Sequence, residues 1–171
     1  MTDADPLAGP PESPIDAFDH DRHMRRALEL AREAADRGDE PFGSVLVRDD
    51  EVVAEASNRV HTDDDLRRHP ELDLASLAVR RDDPDERART VMYTSTEPCP
   101  MCAGGLRRAG LARIVYAVGS DEVAAFTGRP VPDVRSAEIL GDQTEVIGPL
   151  ANGAGRAVHE EYGWDDRRTR E

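Results

Sequence analysis

The chain has 171 residues, 38% of them hydrophobic, and its 36 acidic against 22 basic residues give a formal net charge of −14. That length supports one domain with a sizeable core, and no run of about 18 apolar residues exists to form a membrane-spanning helix. Every basic residue is arginine, and so acidic a chain argues against a broad interface with a phosphate backbone, which draws on clustered Lys and Arg.

Residues 1–18, rich in Pro, Asp and small side chains, are expected to be a disordered extension. They carry neither the basic nor the apolar segment of a signal peptide. From Asp19 to Arg37 the apolar positions Met24, Ala27, Leu28, Ala31 and Ala35 recur at helical spacing, and Gly38 ends the pattern. Runs 42–48 and 51–56 flank Asp49-Asp50 as a hairpin. Residues 60–68 and 82–89 read as polar loops, with a helix between them running from Pro70 through Leu74, Leu77, Ala78 and Arg81. A buried strand is expected over 91–96, a helix over 99–109 and a strand over 114–118. Beyond that the spacing supports a short helix over 121–127, a strand over 144–147 and a helix over 155–162. The expected domain is 19–165, with a flexible tail at 166–171.

Two short motifs carry chemistry. His69-Pro70-Glu71 opens the second long helix, and Pro98-Cys99-Pro100-Met101-Cys102 opens the third and holds both cysteines of the chain. Structural zinc sites are closed by four protein ligands, whereas catalytic ones use three and leave a position to water. His69, Cys99 and Cys102 make a three-ligand Zn2+ set, and Glu71 is a carboxylate left over for proton transfer. Such an ion lowers the pKa of bound water to about 7. Pro70 and Pro100 each suit the first turn of a helix, and two positive helix ends would favour thiolate ligands. A Cys-x-x-Cys by itself is equally a redox pair or half of a structural zinc site; the added His and Glu turn the reading towards hydrolysis. His61 is the obvious fourth ligand if the metal is structural and the domain a scaffold.

Taken together, these motifs match the H-x-E…P-C-x-x-C pattern of zinc nucleobase deaminases, and the chain resembles the cytidine deaminase-like superfamily. The likeness runs from about Met24 to about Gly119 through Pro41-Phe42-Gly43-Ser44-Val45-Leu46-Val47, Asn58, His69-Pro70-Glu71, Tyr93-Thr94-Ser95-Thr96-Glu97-Pro98-Cys99-Pro100-Met101-Cys102-Ala103-Gly104-Gly105 and Arg113-Ile114-Val115-Tyr116. It looks most similar to the branch of guanine deaminases and tRNA adenosine deaminases. The resemblance implies a three-layer α/β/α domain around a central mixed sheet, and a homodimer. It also implies a pocket in which Asn58 hydrogen-bonds the base and Phe42 and the Gly43 backbone line the wall. Pro70 departs from the small residue usual between the His and the Glu and removes a backbone N–H there.

The activity implied is hydrolytic deamination of a nucleobase or nucleoside, guanine first. Deamination of tRNA adenosine, of cytosine or of another heterocycle stays open as the alternative. The acidic charge favours a small-molecule substrate over RNA without excluding tRNA. Two cysteines assigned to metal fit a reducing cytoplasm. A lysine-free, carboxylate-dense surface resembles proteins of salt-loving microbes, which work where charge repulsion is screened; an acidic protein from a GC-rich genome is the alternative. Guanine deaminases cover the pocket with a C-terminal segment, and the resemblance makes Tyr162 and Trp164 the aromatic candidates for that cover; the alternative is that they pack the last helix onto the domain.

Overall fold

In the computed structural model, which describes residues 14–168, the first long helix, α1 (His20–Arg37), starts where Asp19 accepts a hydrogen bond from the Arg22 N–H at 3.1 Å. It ends at Gly38, whose φ of 99° only glycine adopts freely, and the Gly38 N–H closes the last turn onto Ala34 and Ala35. Strands β1 (Gly43–Arg48) and β2 (Glu51–Ser57) form the expected hairpin, and both turn residues, Asp49 and Asp50, sit at positive φ. The chain then runs through α2 (Val60–Asp63), α3 (Pro70–Arg81), α4 (Pro84–Arg87) and β3 (Val91–Thr96). It continues with α5 (Pro100–Ala109), β4 (Arg113–Val118), α6 (Ser120–Thr127) and α7 (Ser136–Leu140), and ends with β5 (Glu145–Ile147), α8 (Asn152–Tyr162) and α9 (Trp164–Arg168).

The sheet order is β2-β1-β3-β4-β5. β1 is antiparallel to both β2 and β3, whereas β3, β4 and β5 run parallel, so the sheet is mixed. Alternate side chains on the central strands enter two separate cores, as a strand's two-residue period requires. Val45, Val47, Val91 and Tyr93 pack with Met24, Ala27, Leu28 and Ala31 of α1 and with Val158 of α8. Leu46, Met92 and Ile114 face the other way, onto Leu74 and Ala78 of α3, Leu106 of α5 and Leu140 of α7. The result is the expected α/β fold of helices on both faces of a mixed sheet.

Gly43 is where α1 meets the sheet. A Cβ there would lie 2.4 Å from the Ala27 carbonyl oxygen and 2.5 Å from the Ala31 nitrogen, so any side chain would push the helix off the strand. Several boundaries differ from the sequence reading. Pro14–Ala17 form a 3-10 turn inside the expected extension, with Ile15 and Phe18 against the core and Asp16 paired to Arg113 at 2.9 Å. Only residues 1–13 of that extension lie outside the described residues. The expected loops hold the short helices α2 and α4, while α7 and α9 were not anticipated. Helix α9 takes in Asp166 and Arg167 of the expected tail, whose last residues, 169–171, lie outside the description. Among the described residues, no helix is long and apolar enough to cross a membrane.

Candidate metal centre and its cavity

Each metal-ligating motif sits at a helix start. His69 is the N-cap of α3 and Cys99 the N-cap of α5, both in extended backbone, and each is followed by a proline as the first helical residue. Proline suits that position because its missing N–H has no helical partner to lose. Cys102 lies one turn into α5, so its sulfur returns to the same point as that of Cys99. Two positive helix ends thus converge on one spot, which favours thiolates.

The ligand atoms of His69, Cys99 and Cys102 lie within 4.8 Å of one another. His69 Nδ1 is 3.7 Å from Cys99 Sγ and 3.5 Å from Cys102 Sγ. Tetrahedral zinc with bonds of about 2.3 Å to sulfur and about 2.0–2.1 Å to nitrogen needs N···S edges of roughly 3.6 Å. The donor set therefore fits zinc in both chemistry and spacing. Among the described residues no fourth ligand joins this cluster. His61, the residue a closed structural site would recruit, lies exposed in a neighbouring depression.

Glu71 is 4% exposed and stands beside this cluster, its Oε2 3.8 Å from Cys102 Sγ. Its other oxygen, Oε1, accepts from the Thr94 hydroxyl at 2.9 Å, and Thr94 accepts in turn from Ser44 at 2.7 Å. Ser44 and Thr94 are register partners on β1 and β3, so the sheet itself aims the carboxyl. Burial, seconded by the Cys99 charge, pushes the Glu71 pKa up and makes the group a better proton carrier near neutrality. The Cys102 thiol and then His69 hydrogen-bond Cys99 and hold it low, at about 4, against its own burial. Cys102 is pushed up by its hydrogen bond to Cys99 and by burial. Two thiols this close cannot both ionise alone, whereas a dication between them allows it. His69 is raised chiefly by its hydrogen bond to Cys99.

A cavity of about 200 Å3 opens beside the cluster. Its metal side is formed by His69, Pro70, Glu71 and Cys99, with Phe42 and Thr96 next to them. The opposite wall comes from α6, through Ser120, Val123, Ala124 and Thr127, and from the following segment, through Arg129, Pro130 and Pro132. Glu97 bridges the two walls. Burial opposes its ionisation, but the Ser120 N–H at 2.8 Å and the Arg135 guanidinium outweigh this and hold its carboxyl below the usual range.

Of the residues expected to hold substrate, Phe42 lines the cavity. The Gly43 N–H is committed to Ser95 Oγ at 3.1 Å in the interior, away from the cavity lining. Asn58 is fully buried beside Phe42: its N–H donates to the Phe42 carbonyl, its Oδ1 accepts from Val60, and its Nδ2 has no protein partner. Tyr162 and Trp164 do not cover the cavity. Trp164 braces Phe42 from behind at 6.2 Å between ring centroids, and both aromatics line the neighbouring depression. Ser44, Thr94 and Glu97 stood in the stretches that carry the family resemblance but were given no part in holding Glu71 or joining the walls, and the 120–132 wall was not anticipated. For Thr94 the residue-level signal was a hydroxyl in the wholly buried run Val91-Met92-Tyr93-Thr94-Ser95-Thr96.

The chain is similar to several deaminases. The chain is 31% identical to a probable cytosine deaminase of Schizosaccharomyces pombe over 156 residues, which is 85% of this chain and 93% of that protein. It is 29% identical to a tRNA-specific adenosine deaminase of Agrobacterium fabrum over 134 residues, covering 72% and 88% of the two chains. Among solved structures, the guanine deaminase of Nitrosomonas europaea superposes with a TM-score of 0.73 at 25% identity, covering 95% of this chain and 98% of that one. Since residues 18–141 match the MafB19-like deaminase model, the chain belongs to that family of cytidine deaminase-like deaminases.

Proposed function

We propose that the protein is a zinc-dependent hydrolytic deaminase of a nucleobase, guanine first. The observation that carries this reading is a three-ligand donor set beside a buried, hydroxyl-oriented Glu71 at a cavity of about 200 Å3. His69, Cys99 and Cys102 would hold the zinc, which when bound supplies a nucleophile at neutral pH by lowering the pKa of water to about 7. Glu71 takes the proton released from that water and delivers it to the ring nitrogen next to the amine-bearing carbon. It then carries the remaining proton of the added hydroxyl to the departing amine, so that water and a C–NH2 group become a carbonyl and ammonia. Thr94 holds one Glu71 oxygen in place during both transfers. Phe42 supplies an apolar wall for the ring. Asn58, through its unpartnered Nδ2, is assigned to a carbonyl of the base, and Gly43 fixes the Phe42 backbone.

Cytosine is the second reading, favoured by the near full-length similarity to the yeast relative. A homodimer is supported by family analogy and by exposed Leu66, Val79 and Met101 near α3 and α5. The lysine-free acidic composition supports a cytoplasm rich in salt. The test is ammonia release by zinc-loaded protein in molar KCl from guanine, adenine, cytosine and a tRNA anticodon hairpin, with Glu71→Ala as blank. Release from guanine that disappears in the variant is expected. Release from the hairpin alone would replace guanine by tRNA adenosine, and silence on every substrate with zinc bound would leave a scaffold.

A further inference from the structure

We propose that Arg129 is a specificity-determining residue. Paired with Glu40, it partitions the metal cavity from a second space, so that the site takes a free heterocyclic base and rejects the same base carrying ribose or lying in RNA. This deepens the deaminase reading and rests on it.

Helix α6 ends at Gly128, and the chain then crosses the cavity as Arg129-Pro130-Val131-Pro132, with Arg129, Pro130 and Pro132 in its lining. The Arg129 guanidinium forks onto the Glu40 carboxylate, Nη1 to Oε2 at 3.1 Å and Nη2 to Oε1. Bidentate pairs of this kind fix geometry as well as charge. Its central carbon also lies 5.5 Å from the Trp164 ring centroid, a cation–π contact. Glu40 sits just ahead of Phe42, whose N–H donates to the Glu40 carbonyl, so the pair joins the two walls of the cavity. At the far end of the segment Arg135 is tied to Asp121 at 2.9 Å and to Glu97 at 3.4 Å. Two prolines with fixed φ stiffen the span between these anchors.

What lies beyond the partition gives it a function. A second space of about 240 Å3, lined by Glu40, His61, Tyr162 and Trp164, shares Thr127 and Arg129 with the metal cavity. The metal cavity alone, at about 200 Å3, is below the roughly 300–1,000 Å3 of pockets that hold drug-sized ligands. A space of that size suits one heterocyclic ring system, and on this proposal a ribose attached to it would have to extend past Arg129 into the second space. With the Arg129 side chain gone, the two spaces would be continuous and a ribose would have room.

The test compares kcat/KM for guanine against guanosine and for cytosine against cytidine in wild type, Arg129→Ala and Glu40→Gln. Arg129→Lys serves as the variant that keeps charge without the fork, and melting curves establish folding. Wild type is expected to favour the free base by about 100-fold or more, the order of discrimination a fitted pocket achieves against an added group. Arg129→Ala and Glu40→Gln should narrow that preference by about tenfold, through a lower KM for the riboside, as loss of one ion pair and one cation–π contact allows. Comparable wild-type rates on base and riboside would overturn the proposal, as would an unaltered preference in both folded variants. Calorimetric titration with the same bases and ribosides separates it from the activity: silence in the assay with base-selective binding sinks only the deamination, while equal binding, or none, sinks the partition.

Discussion

The two walls of the cavity are built by different means. On the metal side, His69, Glu71, Cys99 and Cys102 come from two short motifs, each locked at the start of a helix that packs into the core. Helix α5 can approach α3 closely because Gly105 faces Leu72, where a Cβ would come within 2.5 Å of Cδ1. On the opposite side, residues 128–132 have no regular structure and are held from outside. Arg129 reaches Glu40 across 89 positions of sequence, and Arg135 reaches Glu97 across 38. Packed helix ends keep their geometry whatever the salt, whereas partly exposed ion pairs are screened within about 10 Å at 0.1 M. On the proposed function, the chemistry would rest on the stiff wall and the choice of substrate on the adjustable one.

Breaking the stiff wall should have the largest effect. Cys102→Ser removes a soft ligand from a three-ligand set, and both activity and bound zinc are expected to be lost. Chelation of the wild type should act in the same direction. A metal held at about a thousand times its dissociation constant stabilises by about 4 kcal/mol, which for a domain of this size is roughly 10 °C in Tm. Differential scanning with and without chelator, alongside zinc analysis, measures it. A Tm indifferent to chelator in a zinc-loaded sample would show that the motif does not hold the ion.

The contrast between the walls also marks what could be read in advance. Met24, Ala27, Leu28 and Ala31 at helical spacing gave away α1, and Asp49-Asp50 between two apolar runs gave away the hairpin, because both signals are local. The clustering of the candidate metal ligands was legible for the same reason: two helix starts, each with its own proline. Helix α4 was legible in principle, since Asp83 and Glu86 form a reciprocal capping box, a three-residue spacing passed over within a polar stretch. No local pattern pairs Arg129 with Glu40 or sets Glu97 under the first turn of α6; those contacts exist only once β3, β4 and α6 are assembled. Thr94 and Ser44 read as strand residues, and only the strand register turns them into the support of Glu71. Trp164 was recognised as aromatic and near the site, but its place behind Phe42 depends on α9, five residues with no amphipathic repeat to announce them.

A smaller change probes the stiff wall without dismantling it. Thr94→Val keeps the shape of a buried strand residue and deletes the hydroxyl that donates to Glu71 Oε1. A hydrogen bond to a charged group contributes about 1.5–3 kcal/mol, so a fall in kcat of about tenfold or somewhat more is expected. Thr94 lowers the Glu71 pKa, and its loss must let that pKa rise further. Since Glu71 accepts a proton as carboxylate, the acid limb of kcat/KM should move to higher pH. Zinc content should stay at the wild-type level. An unmoved limb together with an unmoved kcat would mean that Glu71 is aimed by something other than the sheet.

The smallest expected effect belongs to the adjustable side, and its sign can be worked out. His159 is 1% exposed, stacks on Phe126 at 5.1 Å and accepts from Trp164 Nε1 at 3.2 Å, so it must be neutral at Nδ1. Burial is the chief cause that brings its pKa down to about 4, with Glu122 and Arg156 as opposed lesser influences. In the unfolded chain the same imidazole takes a proton near pH 6.5. Between these values the unfolded state binds more protons, so the contribution to stability is complete above about pH 6.5 and drains away as pH falls towards about 4. At pH 5.5 the loss is about 1.5 kcal/mol, or roughly 4 °C in Tm. His159→Asn keeps an acceptor for Trp164 but does not titrate, and should flatten this slope. Trp164 is the only tryptophan, so its fluorescence follows this corner directly. If the stiff wall is independent of it, acid should alter the tryptophan signal at a pH where zinc is still bound; simultaneous loss of both would show that the brace behind Phe42 and the metal centre unfold as one unit.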